Sequence, residues 1–204
     1  MPSVSWQHRY PTLKVTSEPA SEPVTAAEAL FFAQHEAGDS DSTTLMTSLV
    51  KAARRKVERD ASVALITQTR TAVLDSFPPA DWQEFHVWPV QSATVSYVDE
   101  NGDTQTWSSG LWQSDFQNIP PRIGPVDGET WPDTASNTFQ AVTFTLVCGY
   151  GASASSVPEE AKLAIKLLAK EWFWNRCPTG EVGQNIQYAY GAMIDAISWR
   201  PQVV

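Results

Sequence analysis

The run from Val157-Pro158-Glu159-Glu160 to Arg176 constrains the fold of this chain more than any other stretch. Pro158 suits a first helical turn, where its missing N–H costs nothing. Glu159 and Glu160 place negative charge at the positive end of the helix dipole. Cys177-Pro178-Thr179-Gly180 supplies the stop, because proline and glycine do not continue a helix readily. Between these ends Ala161, Ile165, Leu168 and Trp172 share one face at helical spacing. Leu163, Leu167 and Trp174 form a second apolar strip, and Lys162, Lys166 and Lys170 fill the gap between the two. One apolar face packs on its own domain. Two ask for a second neighbour, from the same chain or from another subunit.

The 204 residues predict one domain, or one domain carrying an insertion. A chain of this size buries roughly 70% of its unfolded surface and needs no metal or disulfide to hold a core. Its net charge of -9 argues against bulk attraction to nucleic acid, since such affinity comes from neutralising phosphates. An acidic chain is still able to surround DNA without adhering to it. Cys148 and Cys177 are the two cysteines, far apart and without CxxC spacing, and read as thiols in a reducing compartment. No apolar run reaches the ~18 residues of a membrane span. The first residues lack the basic start and apolar core of a secretory signal, so the expected place of synthesis and assembly is the cytoplasm.

Residues 1–23 are rich in Ser, Pro and Thr and predict an extended arm, with one short strand at Leu13-Lys14-Val15. Thr25-Ala26-Ala27-Glu28 is a capping box that opens a helix from Ala26 to about Ala37, with Gly38 ending it. A second helix, from about Thr43 to Asp60, is expected to bury Met46, Leu49, Val50, Ala53 and Val57. Its opposite face carries Lys51, Arg54, Arg55 and Arg59, the one positive cluster of an acidic chain. This is either a solvated face or a surface steered toward an acidic partner.

From Ala64 to Gly151 the period becomes that of strands. Strands are expected over Leu65–Leu74, Glu84–Val90, Ala93–Val98, Thr104–Trp107, Trp112–Phe116 and Ala141–Cys148, with a hairpin turn at Asp99-Glu100-Asn101-Gly102. The segment from Ile119 to Pro132 reads as a proline-rich loop ordered by its aromatic residues. A last helix is expected near Ala189 to Ser198, closed by Trp199-Arg200-Pro201. The class is α+β: a small bundle of about four helices with an antiparallel β region inserted between the second and third. The expected layout is an arm over 1–23 and one domain over 24–204, with helices in 25–60 and 157–199 around β-rich residues 64–151.

Chemistry is hard to place on this chain. His8, His35 and His86 pair with no cysteine or carboxylate at ligand spacing, and Asp99-Glu100-Asn101-Gly102-Asp103 lacks the spacing of a calcium loop. Gly149-Tyr150-Gly151 is neither a phosphate loop nor a nucleophile elbow. No catalytic residue, metal or cofactor is expected. By elimination the chain reads as a structural or interaction protein. The competing reading is a small enzyme or ligand-binding module assembled from scattered residues such as His86, Asp99 and Glu129.

Several motifs in one order resemble the head–tail connector (adaptor) family of tailed bacteriophages and gene transfer agents. Glu22-Pro23-Val24-Thr25-x-x-Glu28-Ala29 is similar to the family's opening helix, and Leu49-Val50-x-Ala52-Ala53-Arg54-x-x-Val57-Glu58 to its second. Leu65-Ile66-Thr67-Gln68-Thr69 and Phe77-Pro78 follow. The most specific element is Pro89-Val90-x-Ser92-x-x-x-Val95-x-Tyr97-x-Asp99-x-x-Gly102. Pro121-Arg122-Ile123, Trp131-Pro132 and Cys148-Gly149-Tyr150-Gly151 lead into Val157-Pro158-Glu159, which resembles the start of the family's long helix. Two departures stand out. Leu30-Phe31-Phe32 occupies the place of a usual basic residue, and Asp60-Ala61-Ser62 replaces a glycine turn.

The resemblance implies a ring-forming, non-enzymatic subunit under the portal, twelve-fold if matched to it. Such a ring extends the DNA channel without sequence-specific binding and docks tail-side connector or stopper proteins. The implied location is the virion neck, with assembly in the host cytoplasm and no contact with membrane. Candidate subunit or portal contacts are Lys51, Arg55, Arg59, Leu163, Leu167, Trp172, Trp174, Trp199 and Arg200. A tail-completion or tail-tube protein is the other structural reading.

Overall fold

A computed structural model of the chain describes residues 11–36, 39–175 and 184–198. They fall into two compact units, one of strands (residues 11–18 with Gln68–Gly149) and one of helices (Pro19–Thr67 with Tyr150 onward).

The helical unit contains α1 (Ala26–Phe32), α2 (Ser40–Ala61), α3 (Glu159–Asn175) and α4 (Gln184–Ile197). α1 starts at the expected capping box: the Glu28 amide donates to the Thr25 hydroxyl and the Thr25 amide to the Glu28 carboxylate. The helix ends at Phe32, earlier than expected, and the Gly38 stop lies outside the described residues. α2 starts earlier than its apolar pattern, because the Asp39 carboxylate accepts from the amides of Asp41 and Ser42 and so caps the first turn. Thr44 and Thr47 then turn their hydroxyls back onto the carbonyls of Ser40 and Thr43, so a Ser/Thr-rich start stays helical. At the other end Ser62 takes the left-handed conformation (φ 57°), and the Val63 amide closes the helix on the Glu58 carbonyl. Ser62 thus holds a left-handed conformation that glycine adopts at less cost.

α3 is the middle of this unit. It packs on α2, α1 and α4, and it buries Ala161, Ala164, Ile165, Leu168 and Trp172 against Leu30, Met46, Val50, Ala53 and Val57. Leu65 and Ile66 belong to this core as well. The expected strand over Leu65–Leu74 therefore begins only at Gln68. Its first residues are held by the helical unit instead: Ile66 bridges Gly151, and the Leu65 amide donates to the Glu58 carboxylate at 2.9 Å.

The same carboxylate corrects the expected basic face of α2. Arg54 is not part of it. Its side chain is 1% exposed, with Nη1 on Glu58 at 2.8 Å and Nε on Glu22 at 2.7 Å. On the helical wheel Arg54 lies about 60° from Lys51, which is enough to turn it into the core.

In the strand unit, five strands form an antiparallel sheet in the order β1-β2-β8-β4-β5: β1 (Leu13–Ser17), β2 (Gln68–Leu74), β8 (Val142–Cys148), β4 (Val90–Val98) and β5 (Thr104–Thr106). β8 is the central strand and alternates buried and half-buried residues along its length. Val142, Phe144, Leu146 and Cys148 point inward, as its sequence predicts. The Cys148 thiol is pushed up to about 12 by burial, with Arg70 opposing, so it stays protonated. Cys177 lies outside the described residues.

A second sheet has the order β3-β7-β6: β3 (Gln83–Glu84), β7 (Arg122–Pro125) and β6 (Trp112–Asp115). Two expectations fail here. Glu84–Val90 is not one strand, since the Phe85 amide turns to the Pro121 carbonyl and β4 starts at Val90. The segment from Ile119 to Pro132 contains β7 and is not wholly loop. Its aromatic anchor does form: Trp131 stacks on Phe77 at 4.8 Å and donates its indole N–H to the Ala80 carbonyl. At the hairpin after β4, Asp99 accepts from the Asn101 and Asp103 amides, which closes the turn.

The buried ion pair makes a direct stability forecast. Arg54→Ala leaves Glu58 buried without its cation and should cost about 3–5 kcal/mol in urea unfolding of the whole chain. Arg55→Ala, on the exposed face one residue on, should stay within about 0.5 kcal/mol.

Candidate functional site

Exposed surface, rather than a catalytic cleft, distinguishes the helical unit. Lys51, Arg55 and Arg59 sit at i, i+4 and i+8 on α2 and are all exposed. They form the basic row, reduced by one member from its sequence version because Arg54 is internal. Arg59 also approaches its neighbour Asp60 at 3.5 Å.

α3 presents the second apolar strip as its exposed edge. Leu163 is 38% and Trp174 56% exposed, with Leu167 between them half-buried. Among the described residues, Trp174 donates its indole N–H to the Ala33 carbonyl at 3.2 Å, and its ring meets Phe173 and His35 edge-on. The residues after α1 are thus fastened to the end of α3 while much of the indole faces solvent. Trp172, by contrast, is a core residue at 8% exposure. Its remaining surface lines a groove of about 550 Å³ between the start of α2 and the end of α3, with Leu45, Leu49 and Phe173, and with Asp39 and Asp41 at the rim. Hydrogen bonds from Ser42 and from the Asp41 amide hold the Asp39 carboxyl below the usual range, so this rim is anionic at neutral pH.

Trp199 and Arg200 lie outside the described residues. Sequence reasoning missed the groove, whose floor draws on two helices distant in sequence. It also gave little weight to Phe31, which is 86% exposed and stands where the resemblance expected a basic residue.

The residues of the competing enzyme reading find ordinary employment. Asp99 is a turn acceptor, held below the usual carboxylate range first by the Gln105 side chain and then by the Asp103 amide. Glu129 lines a shallow groove of about 360 Å³ that includes neither His86 nor Asp99. Among the described residues no group of three or more His, Cys, Asp or Glu is placed to hold a metal ion, and no helix is long and apolar enough to cross a membrane.

α4 is fixed to the end of α2 by one polar cluster. Tyr190 donates its hydroxyl to Asp60 at 2.8 Å, Lys56 reaches the same oxygen at 2.7 Å, and its ammonium lies 5.5 Å from the Tyr190 ring centre. Burial pushes the Asp60 carboxyl up, but the bonds from Lys56 and Tyr190 and the charges of Lys56 and Arg59 outweigh it, and the net shift is downward. A depressed carboxyl stabilises the fold above its unfolded pKa, about 3.9 for aspartate, and loses that contribution as pH falls through the folded value. Amide exchange in α4 should therefore speed up relative to α3 below about pH 4, and Tyr190→Phe should bring part of that loosening to neutral pH.

No protein-family model and no curated protein matches the chain. Solved structures do. A chain of "Neck of empty GTA particle computed with C6 symmetry" superposes with a TM-score of 0.77 at 22% identity, over 95% of this chain and 98% of the other. A chain of "Virion of native gene transfer agent (GTA) particle" gives 0.75 at 21% identity, over 95% and 98%. A chain of "Neck of native GTA particle computed with C12 symmetry" gives 0.68 at 20% identity, over 94% and 98%. The protein has the fold of chains found in the neck of a gene transfer agent particle, in agreement with the family that its ordered motifs resemble.

Proposed function

We propose that this protein is a structural subunit of a virion neck, a head–tail connector that forms a ring under the portal. The ring extends the channel through which DNA passes and offers its far side to tail-side connector or stopper proteins. The observation that carries this reading is the shared fold over nearly the whole of both chains with neck chains of a gene transfer agent. Those necks were computed with C6 and with C12 symmetry, which supports a ring of copies here too. The chain's own chemistry supports the same reading. A net charge of -9 suits a conduit along which DNA slides without adhering. The exposed strip of α3 and the basic row of α2 are two different surfaces, as a closed ring of head-to-tail contacts requires. No catalytic step belongs to this function. Assembly takes place in the host cytoplasm and the mature location is the neck. A tail-tube protein is disfavoured by the four helices that build one of the two units.

Electron microscopy of the cognate portal, with and without the protein, tests the reading. An added ring of density on the portal is the expected result, and a portal that gains none rejects it. Trp174→Arg should retain the helical circular-dichroism signal of the chain while the added ring is lost. A variant that unfolds would instead return Trp174 to a purely internal role.

A further inference from the structure

Two exposed helix faces of the helical unit carry complementary patterns. At 100° per residue, Glu160, Leu163, Leu167, Glu171 and Trp174 of α3 fall within an arc of about 80°. The arc is an apolar strip edged by two carboxylates. The lysines on its other side are turned toward α1: Lys170 lies 5.7 Å from the Phe32 ring centre, and Lys166 attracts Glu28. On α2, Lys51, Arg55 and Arg59 occupy a similar arc, with exposed Ser48 within it and exposed Ala52 at its edge. This arc is a cationic row with short side chains beside its members.

We propose that the α2 face of one copy meets the α3 face of the next, so that these two surfaces form the repeating contact of the ring. The inference rests on the ring reading above and names the partner of each face. Its physical basis is charge. Copies carrying -9 repel one another, so contact between them needs a place where opposite charges face each other locally. The α2 row is an exposed basic row of the helical unit, and the edge of the α3 strip away from α1 is acidic, with Glu160 exposed and Glu171 half-buried and accepting from the Asn175 side-chain amide at 2.6 Å. The lengths agree: Glu160 and Glu171 are about 16 Å apart along their helix, and Lys51 and Arg59 about 12 Å, a difference long side chains absorb. The aliphatic stems of the cations cover Leu163 and Leu167, and a guanidinium over Trp174 adds a cation–π contact. The contact uses one face on each side and leaves the other of each free. It therefore propagates head to tail, and it closes into a ring when the rotation per copy divides a full turn.

Charge reversal tests it in the full-length protein, on the cognate portal, at low salt. The double variants Glu160→Lys/Glu171→Lys and Lys51→Glu/Arg55→Glu, each checked for an unchanged melting curve, should each lose ring assembly by at least tenfold. Mixed in equal amounts, they should recover it, because an alternating ring pairs every reversed face with its reversed partner. All four substitutions in one chain should recover it as well. Loss without mutual rescue overturns the pairing and assigns the two faces to other partners. Rings that form equally well from either double variant overturn the contact and leave the connector reading standing. A wild-type protein that adds no ring to the portal defeats the connector reading, and this inference with it.

Discussion

The Arg54–Glu58 pair is the constraint on which the helical unit depends. Bringing a guanidinium and a carboxylate out of water is costly, and their mutual attraction offsets this only when geometry is good and the remaining hydrogen-bonding capacity is used. Here it is used by residues from three parts of the chain. Glu22 precedes α1, Arg54 and Glu58 lie one turn apart in α2, and the Leu65 amide belongs to the segment that follows it. Each partner satisfies a charge that would otherwise be buried alone, so none of the three segments moves without stranding another. Apolar packing of α3 on α2 supplies most of the burial. The ion pair sets where the flanking segments run, and so where the chain leaves the helices.

How much of this the sequence disclosed follows from the range of the interactions involved. Features set by neighbours along the chain were legible: the capping box at Thr25, the alternation of β8, the turn at Asp99, and the two strips of α3. Features set by distant partners were not. Arg54 lies close enough to Lys51 and Arg55 on the helical wheel to resemble a surface residue, and only Glu22, 32 residues earlier, marks it as internal. Leu65 and Ile66 have strand-like composition, yet the helical core claims them through Glu58 and Gly151. β7 hides in a run of prolines and glycines because its pairing with β6 and β3 is non-local. The candidate surfaces divide in the same way. Helical spacing alone finds Leu163, Leu167 and Trp174, whereas the groove beside Trp172 requires knowing which end of α3 lies against α2.

Under the connector reading proposed above, the chemistry of this chain belongs on its outside. Its carboxylates serve as caps and turn acceptors, its buried thiol stays protonated, and its aromatic residues pack against one another in the strand unit. Among the described surfaces of the helical unit, an edge of one helix and a row of cations on another are the two that the proposed contact uses. Both are built on regular secondary structure, which holds side chains at fixed spacing without a ligand to organise them.

The bridge between Ile66 and Gly151 carries one more meaning. Thr67 donates its amide to the Gly151 carbonyl, and Tyr150 donates to Leu65, so the helical unit is already stitched shut at the point where the strand segment leaves it and returns. Within the strand unit the two ends, Gln68 and Cys148, are likewise partners on adjacent strands. Each end of the 68–149 segment is thus paired within its own unit. A change in its length or sequence need not pass through the helical core. The backbone on each side of the joint is satisfied by hydrogen bonds of its own unit.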